Sequence, residues 1–243
     1  MEGAVEVQRP AVLLVPGWSD TALRLRACSD YLVQSGWSAG HVRRLDFRDR
    51  FGSNVGHAEE VADAVAALSA ATGQPRVAVV AHSMGGLALR RCLIDTNGSA
   101  VHTAVFVGTP HMGTLVAWAA WGRGGAEMRP GSEFLRDLNA RSLPPTVRAV
   151  CLRTPIDTRV IPGSSAWLEG TECMTVRLPP HSRMLRHRPT LQQIVGILAA
   201  PAADSTTAAR YTRTNEGLTR AAGGVRQRPA RCSSIPQSGN SRH

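Results

Sequence analysis

Three residue types that together perform nucleophilic catalysis, a serine, an acid and a histidine, occur here in the order Ser83, Asp157, His181. Ser83 lies in the run Ala81-His82-Ser83-Met84-Gly85-Gly86, directly after the apolar stretch RVAVV at 76–80. A serine between a strand and a helix, with small residues at −2, +2 and +3, fits a strained turn that lifts its hydroxyl above a sheet. The helix behind it offers free N–H groups and the positive end of its dipole. Serine also serves as a plain helix N-cap. The glycine pair and the preceding strand favour the nucleophile.

A serine hydroxyl is a weak nucleophile and needs a base that is itself held by an acid. Asp157 follows the apolar run VRAVCL (147–152), and His181 follows MTVRL (174–178). Both then reach the same sheet edge as Ser83, in the chain order Ser, acid, His. The competing acids Glu169 and Glu172 precede the last strand, which puts them at the opposite edge as solvated loop charges. His187 reads as surface, and His82 as a hydrogen-bonded structural residue pointing away from the nucleophile. His111 follows AVFVG (104–108) but precedes the acid, which argues against a direct chemical role. An oxyanion hole needs two N–H donors. Met84 supplies one, and Trp18, after the first strand, the other; Pro16 has no N–H to give.

These positions require a scaffold. AVLLV (11–15), RVAVV and AVFVG are apolar throughout, the mark of strands covered on both faces. Helical patterns alternate with them: about 19–34 with Leu23, Cys28, Tyr31 and Leu32 inward, about 57–71 with Glu59 and Glu60 in its first turn, 84–94, and 189–199. A further strand is expected over 41–47. The class is α/β, a doubly wound, mostly parallel sheet of about six strands with helices on both faces, where ligands bind outside the carboxyl ends of the strands.

With 243 residues, 43% of them apolar, the chain has ample material for one core. The net charge of +10 is carried by 28 arginines and no lysine, a bias that coding composition explains. No basic block with interleaved aromatics appears within 1–200, so nucleic acid is not an expected partner. Beyond about 201 the chain turns rich in Gly, Pro, Ser, Thr and Arg and reads as a disordered tail. The domain is therefore 1–200. Residues 1–9 show no export signal, so the chain as written is expected in the cytoplasm, or secreted if such a signal is missing from its start. The five scattered cysteines form no CxxC pair and point to neither zinc nor a disulfide frame.

The segments VLLVPGW, YLVQSGW, LDF, VAVVAHSMGG, FVGTPHMGT, TPIDTRVIP and PPHSRML together resemble the small bacterial lipases of the α/β-hydrolase fold, which carry Ala-x-Ser-x-Gly at the nucleophile. The resemblance spans about 10–198. It implies hydrolysis of carboxylic esters, triacylglycerol or shorter acyl esters, without metal or organic cofactor. It places Ser83, Asp157 and His181 in the triad, and Trp18 and Met84 at the oxyanion donors. It also implies a monomer that touches lipid surfaces transiently. Acyl transfer or thioester cleavage on the same triad, or a non-catalytic lipid-binding domain, are the alternatives.

Two departures stand out. Pro16-Gly17 replaces the family's His-Gly. The stretch 111–144 is longer than in the smallest members, with LVAWAAW at 115–121 and a helix near Ser132–Leu138. Its GTPHMGT and RPGSEFL wording resembles a related lipid-ester-hydrolase branch with a short cap. That cap serves as an acyl-binding wall or lid, or as a core helix over the sheet.

A chain ended after Ala203 is expected to keep the thermal midpoint of the full protein and its kcat/KM on a soluble short-chain ester. Differences should appear only on anionic vesicles and fade with salt. Unfolding of the shortened chain would refute the boundary.

Overall fold

The computed structural model describes residues 9–177 and 180–200, so the expected tail lies outside the described residues. Six strands form one open, wholly parallel sheet: β1 (Val12–Val15), β2 (Val42–Arg44), β3 (Val77–His82), β4 (Val101–Val107), β5 (Arg148–Arg153) and β6 (Glu172–Thr175). Their order is β2-β1-β3-β4-β5-β6. The chain runs from β1 outward to β2 and then crosses back over β1 to β3. The direction of winding thus reverses between β1 and β3, which remain parallel, and their carboxyl ends border the crevice where an α/β sheet binds its ligand. Trp18 follows one of these strands and Ser83 the other.

Every residue of β1 and β3 is buried, and alternate side chains enter two separate cores. Leu13, Val15, Val77 and Val79 pack beneath α2 (Asn54–Thr72) and α3 (Met84–Asp95). Val12, Leu14, Ala78 and Val80 pack beneath α1 (Arg26–Gln34) and α6 (Arg188–Ala199). The period of two along each strand, with apolar residues at both phases, is what makes a sheet buried on both sides. No helix among the described residues is long and apolar enough to cross a membrane.

Several expected boundaries move. The helix after β1 does not begin at Ser19: Ser19 takes φ 61°, and a 3-10 turn over Ala22–Leu25 precedes α1. Leu23 is consequently 71% exposed, and Leu25 fills the core in its place. The strand expected over 41–47 pairs only across Val42–Arg44, because β1, its sole partner, ends at Val15 before a proline. The last strand lies two residues earlier than MTVRL. Arg148 on β5 grips Glu172 through two contacts of 2.8 and 3.1 Å, so Glu172 opens β6 as half of an ion pair instead of sitting in a solvated loop.

The helix expected from residue 57 begins at Asn54, capped by the Ser53 hydroxyl, which accepts from the Val55 N–H at 3.2 Å. Glu59 and Glu60 therefore fall in its second turn. The anion that the helix dipole favours comes instead from Glu127, which accepts from the Asn54 N–H at 2.6 Å and from the Ser53 hydroxyl at 2.6 Å.

Glu127 belongs to the cap over 111–144, which contains a 3-10 turn (Leu115–Ala119), α4 (Gly122–Glu127) and α5 (Glu133–Asn139). The Ser132 hydroxyl caps α5 as the sequence suggests. Phe134, Leu135, Leu138, Ala117 and Met128 bury a third core against Met84 and Leu87 of α3. At its far end the buried Arg90 of α3 donates to the Leu138 carbonyl at 3.1 Å and to Asn139 at 2.7 Å. The cap is thus bolted to α2 by a carboxylate and to α3 by a guanidinium.

Glu127→Gln keeps the shape but removes the charge at the α2 N-terminus. It is expected to lower unfolding free energy by about 1 kcal/mol in urea titration. No loss would show that the Glu127 charge does not stabilise the α2 N-terminus.

Candidate active site

Ser83 occupies φ 53°, ψ −126°, between the last residue of β3 and the first of α3. A side chain there costs on the order of 1–3 kcal/mol and persists only when its surroundings enforce it. They do so at close range. The Ser83 N–H donates to the Val107 carbonyl at 2.9 Å, and its own carbonyl accepts from Gly86 at 3.0 Å. Gly85 lies against the Pro16 carbonyl and Gly86 against the Thr109 side chain, so closely that a Cβ on either would overlap its neighbour. A Cβ on Gly17 would likewise stand 3.0 Å from that of Ser83. The small residues that the sequence shows around the serine are required by these approaches.

His181 begins a 3-10 turn (His181–Arg186) and is 4% exposed. Its ring lies over Gly108, next to the Val107 carbonyl that holds Ser83, and a Cβ on Gly108 would reach within 3.1 Å of the ring. Nδ1 lies 2.8 Å from Asp157 Oδ2. Carboxylates only accept, so Nδ1 carries the hydrogen and Nε2 keeps the basic lone pair. The other Asp157 oxygen accepts from the Arg159 and Val160 N–H groups, both at 2.8 Å, which fixes the carboxylate plane. Ser83 Oγ forms no hydrogen bond with His181 among the described residues; such bonds often tighten only when substrate arrives.

The electrostatics of the pair are opposed. Burial alone would raise the Asp157 pKa, but the bond to His181, its charge, and the two backbone N–H groups outweigh burial and hold the carboxyl below its ordinary range. Burial pushes His181 down; the bond to Asp157 and its charge resist this, the coulombic influence of His82 and Arg159 adds to it, and the net displacement is downward.

Trp18 is half-buried. Its indole packs edge-on against Phe51 at 5.4 Å and Trp121 at 5.1 Å, and Nε1 donates to the Trp121 carbonyl at 3.2 Å. Backbone bonds from Ser19 to Arg50 and from Asp20 to Gly17 pin the turn on its far side. Met84, fully buried, is the first residue of α3, where an N–H has no intrahelical acceptor.

Of the remaining candidates, His111 is fully buried on the α2 and α3 face of the sheet, edge-on to Phe106, with Nε2 3.5 Å from Cys151 Sγ. Burial, aided by Arg90, pushes its pKa well below the ordinary value, so it is a neutral packing residue. His187 occupies the N-cap position of α6 without a capping bond from its side chain, and its Nδ1 lies 3.1 Å from the Thr190 hydroxyl. Glu172 stays at the opposite edge, and Glu169 precedes it. His82 is the hydrogen-bonded residue that the sequence suggests, with Nε2 3.2 Å from the His181 carbonyl; its ring lies 4.8 Å from that of His181, with Asp20 on its other side. Asp20, Arg90 and Glu127 carried no sequence signal, because each acts on a partner distant in the chain. Cys28, Cys92, Cys151 and Cys173 are free thiols, Cys232 lies outside the described residues, and no metal-binding cluster occurs among the described residues.

Solved structures of the same fold include Aspergillus fumigatus lipase B, at TM-score 0.67 and 20% identity over 79% of this chain and 53% of that one. Mature Bacillus licheniformis lipase BlEst2 aligns at TM-score 0.69 and 14% identity, over 81% of this chain and 94% of that one. Legionella pneumophila phospholipase PlaB aligns at TM-score 0.62 and 14% identity, over 86% and 62%. This chain thus spans about half the length of the Aspergillus lipase. At such identities the likeness is one of fold. The profile of the Alpha/beta hydrolase family matches residues 12–239 and supports a hydrolase role. By that match, which covers most of its length, the chain belongs to the alpha/beta hydrolase family.

Proposed function

We propose that the protein is a serine hydrolase of carboxylic esters with apolar acyl groups. The observation that carries this reading is the meeting, at one sheet edge, of a serine held at φ 53° and a His181–Asp157 pair at 2.8 Å. Strain at a nucleophile and a buried, oriented imidazole have no use in a domain that only binds. In the proposed reaction His181 Nε2 takes the Ser83 proton as Oγ attacks the ester carbonyl. The Trp18 and Met84 N–H groups receive the developing oxyanion, and Asp157 stabilises the imidazolium. His181 returns the proton to the departing alcohol. Water then repeats the sequence on the acyl-serine and releases the acid. No metal or organic cofactor takes part in these steps.

Support for an apolar substrate comes from the rim. Leu115, Trp118, Trp121 and Ile156 are each more than half exposed, and Trp121 packs directly on Trp18. Leu115 donates its N–H to the Ile161 carbonyl at 2.9 Å, which joins the cap to the segment following Asp157. Large apolar side chains left in water beside a reactive centre suit an acyl chain or a lipid surface.

A phosphonate ester should label Ser83, and Ser83→Ala should lose at least about 10³-fold in kcat with an unchanged circular dichroism spectrum. Asp157→Asn should lose on the order of 10³ to 10⁴, whereas Glu172→Gln, whose partner is Arg148, should cost stability and little kcat. Labelling that persists in Ser83→Ala would refute the assignment. Identifying the products, free acid or acylated acceptor, separates hydrolysis from acyl transfer.

The base must be neutral to act. Burial, His82 and Arg159 displace His181 downward against the pull of Asp157. The acidic limb of kcat/KM is therefore expected to have its midpoint below the ordinary imidazole value of about 6.5. A midpoint above that value would show that the pull of Asp157 outweighs burial at this ring.

A further inference from the structure

Two side chains that the proposed chemistry leaves unused meet behind the nucleophile. His82, the last residue of β3, is 6% exposed. Its Nε2 lies 3.2 Å from the backbone carbonyl of His181, and its Nδ1 lies 3.6 Å from Asp20 Oδ2. Asp20 is steadied by Arg24 Nε at 3.1 Å, and its N–H closes the turn onto the Gly17 carbonyl at 3.2 Å. One imidazole therefore touches the segment after β1, the elbow and the His181 turn at once.

The chemistry of its partners restricts the ring. A carbonyl oxygen only accepts, so Nε2 must carry a hydrogen. A neutral ring would then turn a bare Nδ1 toward a carboxylate. Only the cation presents a hydrogen to both neighbours. The ring centroids of His82 and His181 are 4.8 Å apart, a distance at which like charges oppose each other strongly when water is excluded. The other groups facing the two rings are Asp20 and, through it, Arg24 on one side, and Asp157 and Arg159 on the other.

We propose that His82, held as a cation between Asp20 and the His181 carbonyl, is a positioning residue that fixes the His181 turn against the elbow and opposes charging of the His181 ring. The proposal rests on the reading of His181 as the base. His82 acts through His181 and does not touch the ester.

The test follows the ring resonances of His181 by NMR titration of the full chain, beside the pH profile of kcat/KM. His82→Gln keeps a donor for the carbonyl and removes the charge; His82→Phe removes both. In His82→Gln the His181 midpoint should rise by about half a unit to one unit, and the acidic limb should move with it. In His82→Phe the midpoint should rise as well, and kcat should fall roughly tenfold with KM within a factor of about two. The kcat loss in His82→Gln should be smaller. A His181 midpoint that is unchanged or lower in His82→Gln overturns the electrostatic part, and equal kcat in wild type and His82→Phe overturns the positioning part. Should His82→Phe fail to fold, a kcat loss in Asp20→Asn takes its place, and no loss overturns the positioning part. Because the titration needs no turnover, the two readings fail separately: an active Ser83→Ala refutes the triad, while the midpoint in His82→Gln still decides the coupling.

Discussion

The left-handed backbone of Ser83 is the constraint around which this structure is arranged. A serine adopts φ 53° only if leaving it would cost more, and here the alternatives are closed by contact. The first turn of α3 lies on the Pro16 carbonyl and on Thr109, which places the ends of β1, β3 and β4 around one residue. Those contacts need Gly85 and Gly86, and the approach of the loop after β1 needs Gly17. Because β1 and β3 are neighbours across the point where the winding of the sheet reverses, the same packing that strains Ser83 brings Gly17, next to Trp18, against it. Strain, crevice and adjoining N–H groups are consequences of one geometry.

Asp157 and His181 arrive from β5 and β6, farther along the sheet, and need separate fixing. Asp157 is oriented by two backbone N–H groups before it meets His181. His181 rests on Gly108, where φ +59° and the missing side chain let the ring approach the backbone. Glycine is required on both sides of the site for one reason: a buried imidazole and a strained serine each need the main chain closer than a Cβ permits.

The cap over 111–144 contributes apolar surface to the same edge, yet its attachments are polar. Glu127 supplies the negative charge that the α2 N-terminus lacks in its own first turn, and Arg90 donates to the Leu138 carbonyl and the Asn139 side chain at the end of α5. Burial lowers the Arg90 pKa to about 10, so the guanidinium still holds its charge at neutral pH. Phe134, Leu135 and Leu138 of this segment are buried against α3, while its residues Leu115, Trp118 and Trp121 are exposed.

The sequence by itself determined what depends on neighbours in the chain. Fully apolar runs at 11–15, 76–80 and 104–108 specified a buried parallel sheet, because only strands covered on both faces need apolar residues at both phases. The serine between a strand and two glycines identified the elbow for the same local reason. Strand ends located Asp157 and His181, since in such a sheet chemistry gathers where strands stop. Tertiary structure decided whatever depended on partners far along the chain. Edge strands β2 and β6 were misplaced because their extent is set by β1 and β5 and not by their own pattern. The start of α2 answers to Glu127, 73 residues away from Asn54. The partners of His82 were not legible because β-strand alternation gives the direction of a side chain but not what the next layer places against it, and only the folded chain brings Asp20 and the His181 carbonyl to that ring.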